Sequence, residues 1–303
     1  MTRPLDNFAA ALTFLLCVVW GFNQVITKAA LADVGPIAQT GVRSAIGVVC
    51  VVLFAIQTKR RIFRFDGTEA AGALAGLLFT LEFIGLFESL RWTTAARSVV
   101  FLYASPFFVA LGTVAVLKAE RPSPVQWAGL TLAFLGVAYG LLGRAPGGGW
   151  IGDMLALLAA ALWGATTVII KATPLRRADP LKVLLYQIAA AALIAPFAMW
   201  AFGEPAPSRL SAGTMAELLW QGVVVVGLSY ATWFWLLGRY PAPQLAAFTL
   251  VSPLVGVFAG WLVFGEAVTP GFAVAIALVV SGVALVNWPR KPAAFRAAPR
   301  DPG

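Results

Sequence analysis

The feature that most limits what this chain can fold into is a repeat. Trp20-Gly21 and Lys28 recur as Trp163-Gly164 and Lys171, 143 positions later. Ser105-Pro106 recurs as Ser252-Pro253 at an offset of 147. Glu120, Pro124, Gly136, Val137 and Ala138 recur as Glu266, Pro270, Gly282, Val283 and Ala284 at 146. Offsets that drift so little across half a chain mark a duplicated unit with short insertions.

Each unit contains five apolar stretches. The pattern predicts spans at 8–30, 36–56, 69–90, 93–117, 124–143, 150–172, 180–202, 212–238, 243–264 and 270–288. Each is long enough to cross a hydrocarbon core of about 30 Å as a helix. The breaks carry turn or charge signals, among them Asp33-Val34-Gly35-Pro36, Lys59-Arg60-Arg61 and Ala145-Pro146-Gly147-Gly148-Gly149. Five is odd, so the second unit must cross the membrane in the opposite sense to the first, about a pseudo-two-fold axis in the membrane plane. The expected fold is therefore an all-α integral membrane protein of ten transmembrane helices in two inverted five-helix repeats, 8–143 and 150–288. A basic tail, 289–303, follows them.

Composition agrees. The chain is 60% hydrophobic and 12% charged, with a mean hydropathy of +0.85. So few charges cannot cover the surface of a soluble protein of 303 residues, and a lipid bilayer is the expected solvent. There is no histidine, and the two cysteines, Cys17 and Cys50, lie in apolar runs. That argues against a Cys/His zinc site and a disulfide framework.

The net charge of +9 points to a membrane surface and not to nucleic acid. If the N-terminus is inside, sixteen of the 22 basic residues fall on that side. Lys28, Arg91, Arg97, Arg144 and Arg209 fall on the other, and Arg43 lies within a span. This asymmetry predicts cytoplasmic termini. The first span, with Arg3 before it and Ala30-Leu31-Ala32 after it, loosely imitates a secretory signal. Its length, its Asn23, Gln24 and Lys28, and its counterpart in the second unit favour retention as a helix.

Inverted repeats suit transport, because two halves that exchange shapes about a central site open it to each side in turn. The residues that carry the repeat also resemble a known family. The Trp-Gly motifs, Ala95-Ala96 before Ser105-Pro106, Ala246-Ala247 before Ser252-Pro253, and the Glu120…Pro124…Gly136-Val137 and Glu266…Pro270…Gly282-Val283 endings are similar to the drug/metabolite transporter superfamily. The match is to its ten-helix branch with two EamA domains. Within that branch the chain resembles YddG-type exporters of aromatic and other amino acids. The resemblance implies export from a bacterial-type cytoplasmic (inner) membrane. Nothing in the residues themselves sets a direction.

Ionisable groups within the bilayer are costly and so are functional candidates. Glu82 lies nine residues before Arg91, roughly 13 Å deep, and Arg43 seven residues past Pro36, roughly 10 Å deep. A buried Glu82–Arg43 ion pair and a cavity-facing Glu82 that receives a substrate ammonium or a proton are both open readings. Lys28, Glu88 and Arg97 near span ends are expected to snorkel. Trp20 reads as packing at the repeat axis, and Trp163 reads equally as packing or as an apolar wall for a solute. Pro106 and Pro253 each remove a backbone donor near mid-span, which predicts a bend that is either a hinge or a static kink.

Counting 23 residues back from each Ser-Pro serine gives Glu82 in one unit and Ser229 in the other. With Asn23, Phe79, Phe83, Tyr103, Tyr186, Tyr230 and Trp233 at similar levels, these describe an asymmetric cavity suited to a zwitterion with an apolar side chain. Gly72-xxx-Gly76, Gly136-xxx-Gly140 and Gly256-xxx-Gly260 are expected helix-packing faces.

No cofactor motif is present, and without a Walker sequence no ATP hydrolysis or ATPase subunit is implied. The expected activity is secondary transport of a small molecule, neutral or aromatic amino acids foremost. Alternatives are other metabolites, lipophilic cationic drugs, or the cargo of a nucleotide-sugar-type carrier. An integral membrane enzyme is a different class, and no serine or cysteine beside a base supports it.

Overall fold

The computed structural model describes residues 6–117, 123–142, 149–207, 210–237, 239–240 and 251–286. Among the described residues, helices occupy each expected span. The first three are α1 (Asn7–Ala30), α2 (Pro36–Gln57) and α3 (Glu69–Trp92). The fourth span holds α4 (Ala95–Leu102) and α5 (Ser105–Gly112), followed by a π-helical turn, Thr113–Leu117. Next come α6 (Pro124–Leu142), α7 (Trp150–Ala172) and α8 (Pro180–Phe202). The eighth span runs from α9 (Ala212–Leu219) through a π-helical stretch, Trp220–Ser229, into α10 (Tyr230–Leu237). The last two helices are α11 (Val251–Phe264) and α12 (Pro270–Val286). The start of the ninth span and the basic tail lie outside the described residues. Among the described residues, seven helical segments are long and apolar enough to cross a membrane.

Helix ends fall where the sequence supplies a cap. Asp6, Asp179 and Ser211 accept hydrogen bonds from the amides of Ala9, Leu181 and Thr214, satisfying donors that a helix start leaves free. Pro36 opens α2 and Pro180 opens α8, where a missing N–H costs nothing. Gly203 closes α8 at φ 65, a left-handed conformation that a side chain would strain.

Pro106 corrects one expectation. It does not bend a continuous helix. The helix ends at Leu102, turns at Tyr103-Ala104 and restarts, so Pro106 occupies the first turn of α5. Pro253 is the third described residue of α11, and the segment before Val251 lies outside the described residues.

Close glycine contacts display the inverted symmetry directly. A Cβ on Gly21 would fall 2.7 Å from Val255 Cβ and 3.0 Å from Gly256 N. One on Gly164 would fall 2.6 Å from Phe108 Cβ and 3.1 Å from Val109 N. Those partners are repeat equivalents, so α1 sits on α11 as α7 sits on α5. On the axis, helices pair with their own equivalents. Gly136 of α6 meets Leu278 and Val279, while Gly282 of α12 meets Gly129 and Ala133. The pairing descends on one helix as it ascends on the other, and α2 against α8 does the same through Gly41–Ala195 and Gly47–Ile188. Equivalent helices are therefore antiparallel, as an axis in the membrane plane requires. Small residues let the backbones approach and supply the packing that lipid cannot drive.

Candidate functional site

At mid-bundle the aromatic residues form two groups that meet at Phe83. One group holds Phe79, Phe83 and Tyr230, packed with Ile188 and Val226. The other holds Phe83, Leu86, Phe87, Leu102 and Ala159. Leu102 adjoins Tyr103, and Ala159 lies one turn before Trp163. Tyr103 and Trp163 meet edge to face, with ring centroids 6.3 Å apart. Trp163 is 38% exposed, which leaves part of its indole free to contact a ligand or lipid.

Trp20 is more firmly held. Its Nε1 donates to Ser229 Oγ at 2.8 Å, and its ring packs edge to face against Tyr230 and Trp233. Ser229 also donates to the Val225 carbonyl, so the hydroxyl ties α1 to the π-helical stretch. Irregular turns of this type recur at functional positions, and here one places Ser229 and Tyr230 on the bundle's inner side.

Glu82 and Arg43 are both buried, at 5% and 1% exposure. No ion pair within 4 Å joins them among the described residues, so the direct-pair reading is not the observed arrangement. The Arg43 guanidinium lies over Phe83 at 4.2 Å and near Phe87 at 5.3 Å. Tyr230 and Glu82 are among its polar neighbours. Asn23 reaches Thr27 at 3.4 Å and leaves its carbonyl oxygen without a partner. Gln39 bridges two neighbours, donating to the Thr27 carbonyl at 3.3 Å and accepting from Gln221 at 3.0 Å.

Tyr186, expected at this level, is elsewhere. It packs on Gly72 and meets Thr68 Oγ1 at 3.0 Å, near the start of α3. Gln24, Gln39 and Gln221 were the residues that periodicity did not single out as cavity candidates, although a buried amide within an apolar run is a legible signal.

The membrane face opposite the N-terminus carries a second polar layer. Glu266 accepts from Lys28 Nζ at 2.8 Å and caps α4 through the amides of Ala95 (2.8 Å) and Ala96 (3.0 Å). Arg97 does not snorkel, which corrects another expectation. It is 3% exposed and binds Asp153 through Nε (3.0 Å) and Nη2 (2.5 Å). Glu204 caps α2 at Ile37 and Ala38. All three carboxylates come from the second half of the chain and hold helices of the first, closing that face across the repeat boundary. Glu120 and Lys171 repeat the Glu266–Lys28 pair in sequence, but Glu120 lies outside the described residues.

On the N-terminal face Lys182 donates to Asp66 Oδ1 at 2.8 Å. That bond, aided by Thr68, holds the Asp66 carboxyl at about 2, well below its ordinary value. No group of three or more metal-ligating side chains occurs among the described residues.

This arrangement defines a class: a multi-pass membrane protein with an inverted repeat, a polar and aromatic centre, and ion pairs closing one face. The chain belongs to the EamA-like transporter family, which matches residues 7–141 and again 150–288. It is 29% identical over 296 residues to the uncharacterized transporter YvbV of Bacillus subtilis, covering 95% of this chain and 94% of that one. It is 28% identical over 292 residues to a probable amino-acid metabolite efflux pump of Salmonella typhimurium, covering 92% and 93%. A solved crystal structure with 20% identity superposes at a TM-score of 0.67, covering 92% of this chain and 96% of that one, and shows the same fold.

Proposed function

We propose that the chain exports small zwitterionic metabolites, neutral and aromatic amino acids foremost, by alternating access. The supporting observation is the mid-bundle site. Phe83 and Tyr230 stand with one buried cation, Arg43, one buried carboxylate, Glu82, and the hydroxyl of Ser229, and Tyr103 and Trp163 pair with each other in the adjoining aromatic group. Apolar walls with a few convergent polar groups suit an amino acid with an apolar side chain. The relatives described as amino-acid metabolite efflux pumps favour the same cargo.

Each repeat, 8–143 and 150–288, then acts as one half of the rocking unit, with Pro106 and Pro253 beside its flexing points. The basic-residue asymmetry supports cytoplasmic termini in a bacterial inner membrane. Larger heteroaromatic solutes form a second reading, favoured by a riboflavin transporter of Rhizobium johnstonii that is 30% identical over 194 residues, 61% of this chain and 59% of that one.

Counterflow in proteoliposomes decides between them. Vesicles preloaded with phenylalanine or methionine should accumulate the labelled amino acid. Accumulation of labelled riboflavin with no amino-acid exchange would replace the first reading by the second.

A further inference from the structure

Arg43 carries an inference of its own. The residue is 1% exposed, and its Nε, Nη1 and Nη2 make no hydrogen bond of normal geometry among the described residues, although the Tyr230 hydroxyl stands close to the guanidinium. A guanidinium has five N–H donors in a rigid fork, and leaving them unmatched inside a bilayer is among the costlier arrangements a side chain can adopt. The two aromatic rings beside it answer its charge but accept no fork of hydrogen bonds.

The chain contains its own control. Arg97 is buried to nearly the same degree and is likewise flanked by two rings, Phe101 and Phe272, each 5.4 Å away. Arg97 also has a resident carboxylate, Asp153, bonded through both oxygens. Arg43 has the rings without the carboxylate, because Glu82 stands outside ion-pair range. We infer that Arg43 is the docking point for a carboxylate on the transported solute, gripped by its guanidinium fork beside Phe83 and Phe87. Planar two-point recognition of this kind is what arginine provides and lysine does not.

The rest of the solute would meet acceptors. Gln39 is one turn before Arg43 and touches Thr27 and Gln221, so Asn23, one turn before Thr27, stands at the depth of Arg43. The side-chain carbonyl oxygens of Asn23, Gln24 and Gln221 are buried and unpartnered. Together with Glu82 they offer an ammonium its hydrogen bonds.

The experiment compares 3-phenylpropionate with 3-phenylpropanamide, a pair differing only in the charged group, by tryptophan-fluorescence titration of the purified full chain. Wild type should bind the acid at least tenfold more tightly than the amide. Arg43→Gln should abolish that preference while leaving amide binding within about twofold. Arg43→Lys should keep a reduced preference, and it carries the test if Arg43→Gln does not fold. Equal binding of acid and amide by wild type, or full acid preference in either variant, would overturn the assignment. Phenylalanine counterflow belongs to the reading above on which the zwitterionic cargo rests. Its failure with acid preference intact would remove the amino-acid cargo and keep Arg43 as an anion site.

Discussion

Trp20 and Trp163 occupy equivalent positions, yet their surroundings assign them different work. Trp20 is fixed by a hydrogen bond to Ser229 and two edge-to-face ring contacts, whereas Trp163 keeps one ring contact and an open face. Trp20→Ala should therefore lower stability by about 3 kcal/mol, from lost packing and the lost hydrogen bond to Ser229. Trp163→Ala should leave the melting temperature nearly unchanged and reduce amino-acid counterflow several-fold. Thermal unfolding in detergent and the vesicle assay, run on both variants, check the contrast. Asp66 supplies a pH-dependent counterpart. Because Lys182 holds its pKa down, the contribution of the pair is complete above about 3.8 and disappears as pH falls through about 2. The stability gap between wild type and Asp66→Asn should follow that window, and a gap independent of pH would show that the ion pair contributes nothing.

Among elements, the repeat-related glycines carry the clearest prediction. Gly21 and Gly164 each admit a neighbouring helix where any Cβ would collide, so Gly21→Val and Gly164→Val should be comparably disruptive, by about 3 kcal/mol each. Thermal melting of the two variants is sufficient, and tolerance of either would break the equivalence. These positions were readable in advance because the Trp-Gly offset is constant. The Glu82–Arg43 relation was not readable, since depth along a helix leaves rotation about its axis undetermined. The buried Arg97–Asp153 pair escaped for a similar reason. Nearness to a span end suggests snorkelling, and only the packing of α4 on α7 reveals that a carboxylate is waiting inside. Nor does any residue pattern announce the π-helical stretch at Trp220–Ser229, which arises from tertiary fit and not from local propensity.

At the scale of the molecule, helix number, repeat and inversion were all legible, because bilayer thickness and an odd number of spans leave few alternatives. The cytoplasmic placement proposed for the termini rests on charge asymmetry. It predicts that thiols in Arg61→Cys and Arg176→Cys, both exposed positions, stay unmodified by an impermeant reagent added outside cells. Labelling of either would reverse the topology.

The proposed alternating access requires the face sealed by Lys28, Glu266 and the start of α4 to open during each transport cycle. A cross-link tests it most directly. In a background of Cys17→Ala and Cys50→Ala, Lys28→Cys and Glu266→Cys replace an ion pair 2.8 Å long with two thiols that an oxidant or short bifunctional reagent can join. Alternating access predicts that joining them stops amino-acid counterflow and that reductant restores it. Full counterflow in the quantitatively cross-linked protein would contradict the mechanism.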